Sequence, residues 1–211
     1  LASTRGAFQL ARAVGSESLP LPERQALVQR AARHPNPAIR DLFERFLPES
    51  ERTKRLGDAI DPGQILALHG DPERGRQFFF AATAAQCLNC HQVRGKGGEL
   101  GPDLSEIGKK YKPAELLDSL INPSLKVDPK FTTYQLITID GKVHSGLLIS
   151  KDKDPITMRV LKEGKPEALQ IPKDEIEQLT VQKKSLMPDR MLRDLTAQQA
   201  ADLVAFLASL R

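Results

Sequence analysis

Residues 87–91 read Cys87-Leu88-Asn89-Cys90-His91, and this pentapeptide holds both cysteines of the 211-residue chain. Two thiols at this spacing, followed at once by a histidine, form a C-x-x-C-H haem-attachment sequence. Each thiol can form a thioether with a vinyl group, and the histidine then lies beneath the iron as its proximal ligand. Structural zinc wants four protein ligands. No second cysteine pair exists, and His34, His69 and His144 are scattered singly. A thioredoxin-like dithiol would follow a strand and open a helix, whereas the pattern from Pro72 to Ala85 is helical. One covalent haem c per chain is therefore the expected cofactor. A metal or a redox disulfide at Cys87 and Cys90 is the alternative.

The residues that follow strengthen this reading. Gly95, Gly97 and Gly98 let the backbone pass close to a flat ligand, and Gly101-Pro102-Asp103-Leu104 comes next. Here the chain resembles the class I cytochrome c family, in which a Gly-Pro-x-Leu segment lies beside the proximal histidine. The resemblance implies that the Pro102 carbonyl accepts the Nδ1–H of His91 and so fixes its tautomer. It also implies that Leu104 packs on the haem face.

A low-spin electron carrier needs a sixth iron ligand, and a thioether raises its potential. The chain has three methionines. Met158 lies in the strand-like stretch 156–161 and reads as packing. Met191 falls in a turn, against a core. Met187 sits in Ser185-Leu186-Met187-Pro188, a loop ended by proline, with no helix or strand to explain it. The expected ligands are His91 and Met187, with Met191 or His144 as alternatives. An open sixth position would instead suit a sensor of small ligands or a peroxidase-like enzyme.

Composition sets outer bounds. With 211 residues the chain can form more than one compact unit, and 40% hydrophobic residues suffice for a core. No apolar run is long enough to cross a membrane. The net charge of +4 is mild, and the chain lacks the broad basic patch with interleaved aromatics that nucleic-acid binding requires. Lys109-Lys110-Tyr111-Lys112, the densest basic cluster, would suit an acidic redox partner. The chain starts at Leu1 and shows no signal-peptide pattern, so the expectation is a mature form or a fragment. Covalent haem is attached outside the bacterial cytoplasmic membrane, which points to an exported, periplasmic protein.

Along the chain, residues 1–68 show helical stripes broken by prolines. Ala26, Leu27 and Ala31 form one stripe, and Ile39, Leu42, Phe43, Phe46 and Leu47 form another, as in a HEAT-like helical segment. Asp71 and Pro72 suit a helix start. Gly75 and Phe79 lie one turn apart, and the resemblance to class I cytochromes c implies that they meet a C-terminal helix, here over 195–210 and capped by Thr196. Its buried stripe would be Leu203, Phe206, Leu207 and Leu210. The gap between Phe79 and Cys87 exceeds the common family spacing and implies a bulge. Residues 113–122 form a further helix. From 131 to 181 the pattern turns to strands, over 131–139, 142–149, 156–161, 168–171 and 176–181. Asp140-Gly141 signals a hairpin. The fold class is thus mainly α with an inserted β module. A class I cytochrome c fold (71–130 and 182–211) is interrupted by a small antiparallel, barrel-like insertion (131–181) and preceded by the helical segment (1–68).

The order of motifs over 71–210 also resembles a haem-binding domain family of large proteins from planctomycetes and verrucomicrobia. In that family the domain commonly closes a chain carrying a dehydrogenase-like β-propeller. The resemblance implies the electron-accepting end of a larger periplasmic dehydrogenase-like protein, with a redox protein or a fused dehydrogenase domain as partner. The insertion could cover the haem edge, bind a partner or hold two chains together as a homodimer. His144 and Ser145 are adjacent on a strand and point to opposite sides, so the insertion offers no catalytic constellation. The expected role is one-electron transfer and not enzymatic catalysis.

Overall fold

The structure, a computed structural model, describes residues 2–34, 36–81 and 87–211. It divides into two compact units, 1–54 and 55–211.

In the first unit, α1 (Thr4–Gly15), α2 (Leu21–Ala31) and α3 (Pro37–Glu44) share one small core. The Ser3 hydroxyl accepts the Gly6 N–H at the start of α1, and Asn36 Oδ1 accepts the Ala38 N–H at the start of α3. Ala7, Ala11 and Val14 recur at helical spacing and pack with Val28, Ala31, Ile39, Phe43 and Leu47. The α2 stripe is shifted from the expected one: Leu27, Val28 and Ala31 face inward, while Ala26 is exposed. Three helices are fewer than two helix pairs, and the HEAT-like reading rests on sequence alone.

The second unit begins at Arg55. The Leu56 N–H donates to Leu195 O, and the Gly57 N–H donates to Arg193 O. Leu56, Ile60 and Ile65 pack on the core of this second unit. Its helices are α4 (Pro62–Leu66), α5 (Pro72–Ala81), α6 (Cys87–Cys90), α7 (Ile107–Lys110), α8 (Pro113–Ile121) and α9 (Ala197–Ser209). Asp71 Oδ1 accepts the N–H groups of Glu73 and Arg74 at the start of α5. Thr196 and Gln199 form a reciprocal capping box on α9.

Helices α5 and α9 meet as expected. A methyl group on Gly75 would overlap the Asp202 carbonyl oxygen, so only glycine permits this approach. The Phe79 ring lies 5.4 Å from Phe206. Leu203, Phe206, Leu207 and Leu210 are buried around them. Burying an aromatic here stabilises by about 2–3 kcal/mol. Asp202, itself buried, binds Arg74 through both carboxylate oxygens at 2.7 and 2.8 Å and accepts the Asp71 N–H. The crossing is thus locked at its polar end. The bulge expected after Phe79 lies at 82–86, outside the described residues.

The β region is a five-stranded antiparallel sheet made of β3 (Thr133–Thr138), β4 (Val143–Ser150), β5 (Ile156–Lys162), β6 (Lys165–Ile171) and β7 (Ile176–Val181). A two-stranded ribbon, β1 (Gln92–Val93) with β2 (Lys96–Gly97), precedes it in the chain. The sheet order is β6-β5-β4-β3-β7, a linear order that shows the expected antiparallel sheet without showing a closed barrel. The whole is accordingly a mixed helix and sheet structure and not a mainly α one. Strand β6 starts three residues before the expected 168. Glu163 and Gly164 both take positive φ, 51° and 79°, and close a tight hairpin. Pro166 pairs with Leu161 inside β6, which an edge strand tolerates because its N–H side needs no partner. Leu136, Ile156, Met158 and Ile171 form the sheet's own core.

Candidate haem site

Cys87–Cys90 form the single turn α6, His91 follows it directly with its N–H bonded to Cys87 O, and three further backbone bonds fold the following loop back across this segment. The Gly98 N–H donates to Leu88 O at 2.7 Å, the Gly101 N–H to Cys90 O at 2.8 Å, and the Leu104 N–H to Gln92 O at 2.8 Å. Arg94 and Gly95, both at positive φ, make the sharp turn between β1 and β2 that starts the return. Asp103 Oδ1 accepts both the N–H and the hydroxyl of Ser105, and the Ser105 hydroxyl oxygen accepts the Arg94 N–H at 2.6 Å. These bonds hold the Asp103 carboxyl below its usual range.

The result brings Pro102 to His91. The His91 Nδ1–H donates to Pro102 O at 2.9 Å. A carbonyl can only accept, so Nδ1 carries the proton and the Nε2 lone pair is left for a metal. Gly101 lies flat against the ring: a Cβ there would stand 2.6 Å from His91 Cε1. Burial lowers the His91 pKa, and the Pro102 bond opposes this only in part. The neutral, ligating form is therefore the one present at neutral pH.

Cys87 and Cys90 are free thiols on the same turn. Burial pushes the Cys87 thiol up to about 11 and also raises Cys90. A redox-active dithiol needs the opposite, a depressed pKa. Among the described residues no three His, Cys, Asp or Glu side chains gather as a metal-binding group, so the zinc alternative finds no further ligands. Cys87, Leu88, Leu104, Ile107, Leu120 and Ile121 are partly buried apolar groups on the helical core. They offer the apolar surface that a flat macrocycle would cover. The donor set, the fixed tautomer and the glycine beside the ring fit haem c.

The methionines are placed as follows. Met158 is fully buried in the sheet core, opposite Leu148 and Leu169. Met191 is partly buried in a turn before α9. Met187 is partly buried in the loop after β7. Its N–H donates to the Ser185 hydroxyl oxygen at 3.1 Å, and the Ser185 N–H donates to Ser124 Oγ at 3.1 Å. Ser124 thus ties the methionine loop to the segment that ends α8, a role its Asn-Pro-Ser setting did not disclose. An open cleft beside this loop is lined by Gly57, Ile60, Ile121, Ser124, Leu125 and Asp189. His144 sits across from Leu136 within the sheet.

Residues 72–139 match the family model Cytochrome c. The match covers less than half of the chain, contains Cys87 to His91 and Pro102, and ends before Met187. A cytochrome c segment implies covalently attached haem c and haem-based electron transfer. No curated protein matches the chain. Among solved structures, the crystal structure of SoxXA from P. pantotrophus is similar at 18% identity and a TM-score of 0.36, covering 76% of this chain and 95% of that one. Among the described residues no helix is long and apolar enough to cross a membrane.

Proposed function

We propose that this chain is a monohaem c-type electron carrier with His91 and Met187 as axial ligands. The observation that carries the reading is the bond from His91 Nδ1 to Pro102 O, formed on the same turn as Cys87 and Cys90. Haem c, when bound, supplies a one-electron Fe(III)/Fe(II) couple. The protein's part is attachment, orientation and exclusion of water. Cys87 and Cys90 anchor the group, Pro102 and Gly101 hold the His91 ring, and Leu104 covers one face. Ser185 and Ser124 hold the backbone that carries Met187.

The domain layout follows from the same reading. Residues 71–130 and 182–211 form the haem-binding part, and 131–181 an inserted β module. The chain works in the periplasm as the electron-accepting end of a larger dehydrogenase-like protein, or with a separate redox protein. The resemblance over 71–210 supports this setting. The cluster Lys109-Lys110-Tyr111-Lys112, exposed at the end of α7, suits an acidic partner surface. The test is ligand substitution in the matured protein. Met187→Ala should lose the six-coordinate low-spin spectrum and lower the potential, whereas Met191→Ala and His144→Ala should leave both unchanged. An unchanged spectrum in Met187→Ala would sink the ligand assignment.

A further inference from the structure

The inserted sheet does not stand apart from the haem motif. The Arg159 Nη1–H of β5 donates to Glu99 O at 3.2 Å, and the same nitrogen lies 3.0 Å from Glu99 Oε2. A Cβ on Gly98 would stand 2.8 Å from Pro166 Cγ of β6 and would overlap the Asn89 carbonyl oxygen. A Cβ on Gly164, at the hairpin tip, would stand 3.4 Å from Asn89 Nδ2. Arg159 and Pro166 of the β5–β6 hairpin thus lie against Glu99 and Gly98, and the hairpin tip at Gly164 lies near Asn89. Asn89 lies between the two cysteines. Gly98 and Glu99 lie just before Gly101 and Pro102, which hold His91.

We propose that the β5–β6 hairpin clamps the haem-attachment loop, with Arg159 as its positioning residue. The loop's own bonds hold it from within, through Leu88 O and Cys90 O. The hairpin holds it from outside, through one charged side chain and one proline packed on a glycine. Arg159 is about one-third exposed and Glu99 more so, so the ion pair alone contributes little. Its place in the fold gives it effect. Releasing Glu99 frees the loop two residues before the backbone that fixes the His91 ring. Released, the loop admits water, which favours the more highly charged ferric state and lowers the potential.

This inference rests on the haem reading, and charge separates a clamp from a simple field effect. Removing Arg159 takes away a positive charge, which by field alone lowers the potential. Removing Glu99 takes away a negative charge, which by field alone raises it. A clamp makes both changes act in the same direction. The experiment measures the potential of matured Arg159→Ala and Glu99→Gln proteins, and of the exchanged pair Arg159→Glu with Glu99→Arg. Amide hydrogen exchange at Gly98 and Gly101 is followed in parallel. The expected result is a lower potential in both single variants, with exchange at these amides faster by up to about fivefold. The exchanged pair restores the ion pair but not the donor to the residue 99 carbonyl, and should recover part of both losses. Potentials that move in opposite directions, or loop amides that exchange as before, would overturn the clamp. A chain that never takes up haem would fail the haem reading instead, and amide exchange on that same protein would still decide the clamp.

Discussion

Gly101 lies against the face of the His91 ring so closely that a Cβ would come within 2.6 Å of Cε1 and 2.8 Å of Nδ1. The ring's bond to Pro102 therefore depends on the residue before the proline having no side chain. Gly101→Ala should push the ring off the Pro102 carbonyl. Loss of such an orienting partner costs about tenfold to a hundredfold in ligand affinity for the metal. Acid titration of the matured variant, followed by absorption, should show His91 released from the iron at a higher pH than in the parent, because protons compete for its Nε2. Equal titration curves would mean that the ring does not need this glycine.

The crossing of α5 and α9 should dominate the stability of the second unit. Phe79→Ala empties a site that is 1% exposed and should cost about 3–5 kcal/mol. Gly75→Ala places a methyl on the Asp202 carbonyl and should cost about 1–3 kcal/mol through backbone displacement. Denaturant unfolding of the haem-loaded protein checks both. A change under 0.5 kcal/mol in either, about that of a surface substitution, would contradict the packing described.

Asp202 should give this crossing an acid limit. Burial raises its pKa, but bonds from Arg74, the Asp71 N–H and Gln198 outweigh it, and the net value lies below the ordinary 3.8. A folded-state pKa below the unfolded one stabilises the fold fully above about pH 4, and this contribution is lost as pH falls through the folded value. Asp202→Asn should destabilise by about 1.5–3 kcal/mol at neutral pH and flatten the dependence of stability on pH below about pH 4. Parallel acid curves for the two proteins would remove Asp202 from the account.

The methionine loop should respond in two grades. Met187→Ala removes the proposed ligand outright. Ser124→Ala removes only the acceptor for the Ser185 N–H, worth about 1 kcal/mol, and should shift the ligand-bound fraction by about fivefold. Competition with an added ligand such as imidazole reads this fraction. A Ser124→Ala protein that competes like the parent would show that the loop is held by other contacts.

Much of the site was legible because its chemistry is local. Cys87, Cys90 and His91 fall within five residues, and Pro102 lies one short loop away. The Asp71 and Thr196 caps and the α9 stripe follow from helical spacing for the same reason, whereas the Gly75 approach was expected only from the resemblance to class I cytochromes c. Long-range partners were not legible. Arg159 and Glu99 are sixty residues apart, and neither carries a motif. Pro166 reads as a strand breaker until β6 is known to be an edge. Leu56, Ile60 and Ile65 look like any helical stripe, and periodicity does not tell which core they enter. The first compact unit ends at 54. Ser124 reads as the end of a helix, and only the fold gives it the Ser185 N–H.

The most direct test of the central claim is the intact mass of the full chain expressed with the c-type maturation machinery, read with its oxidised and reduced absorption spectra. The account predicts the mass of one covalently attached haem and a six-coordinate, low-spin spectrum in both states. A chain that keeps its bare mass under those conditions, with Cys87 and Cys90 still free, would contradict it.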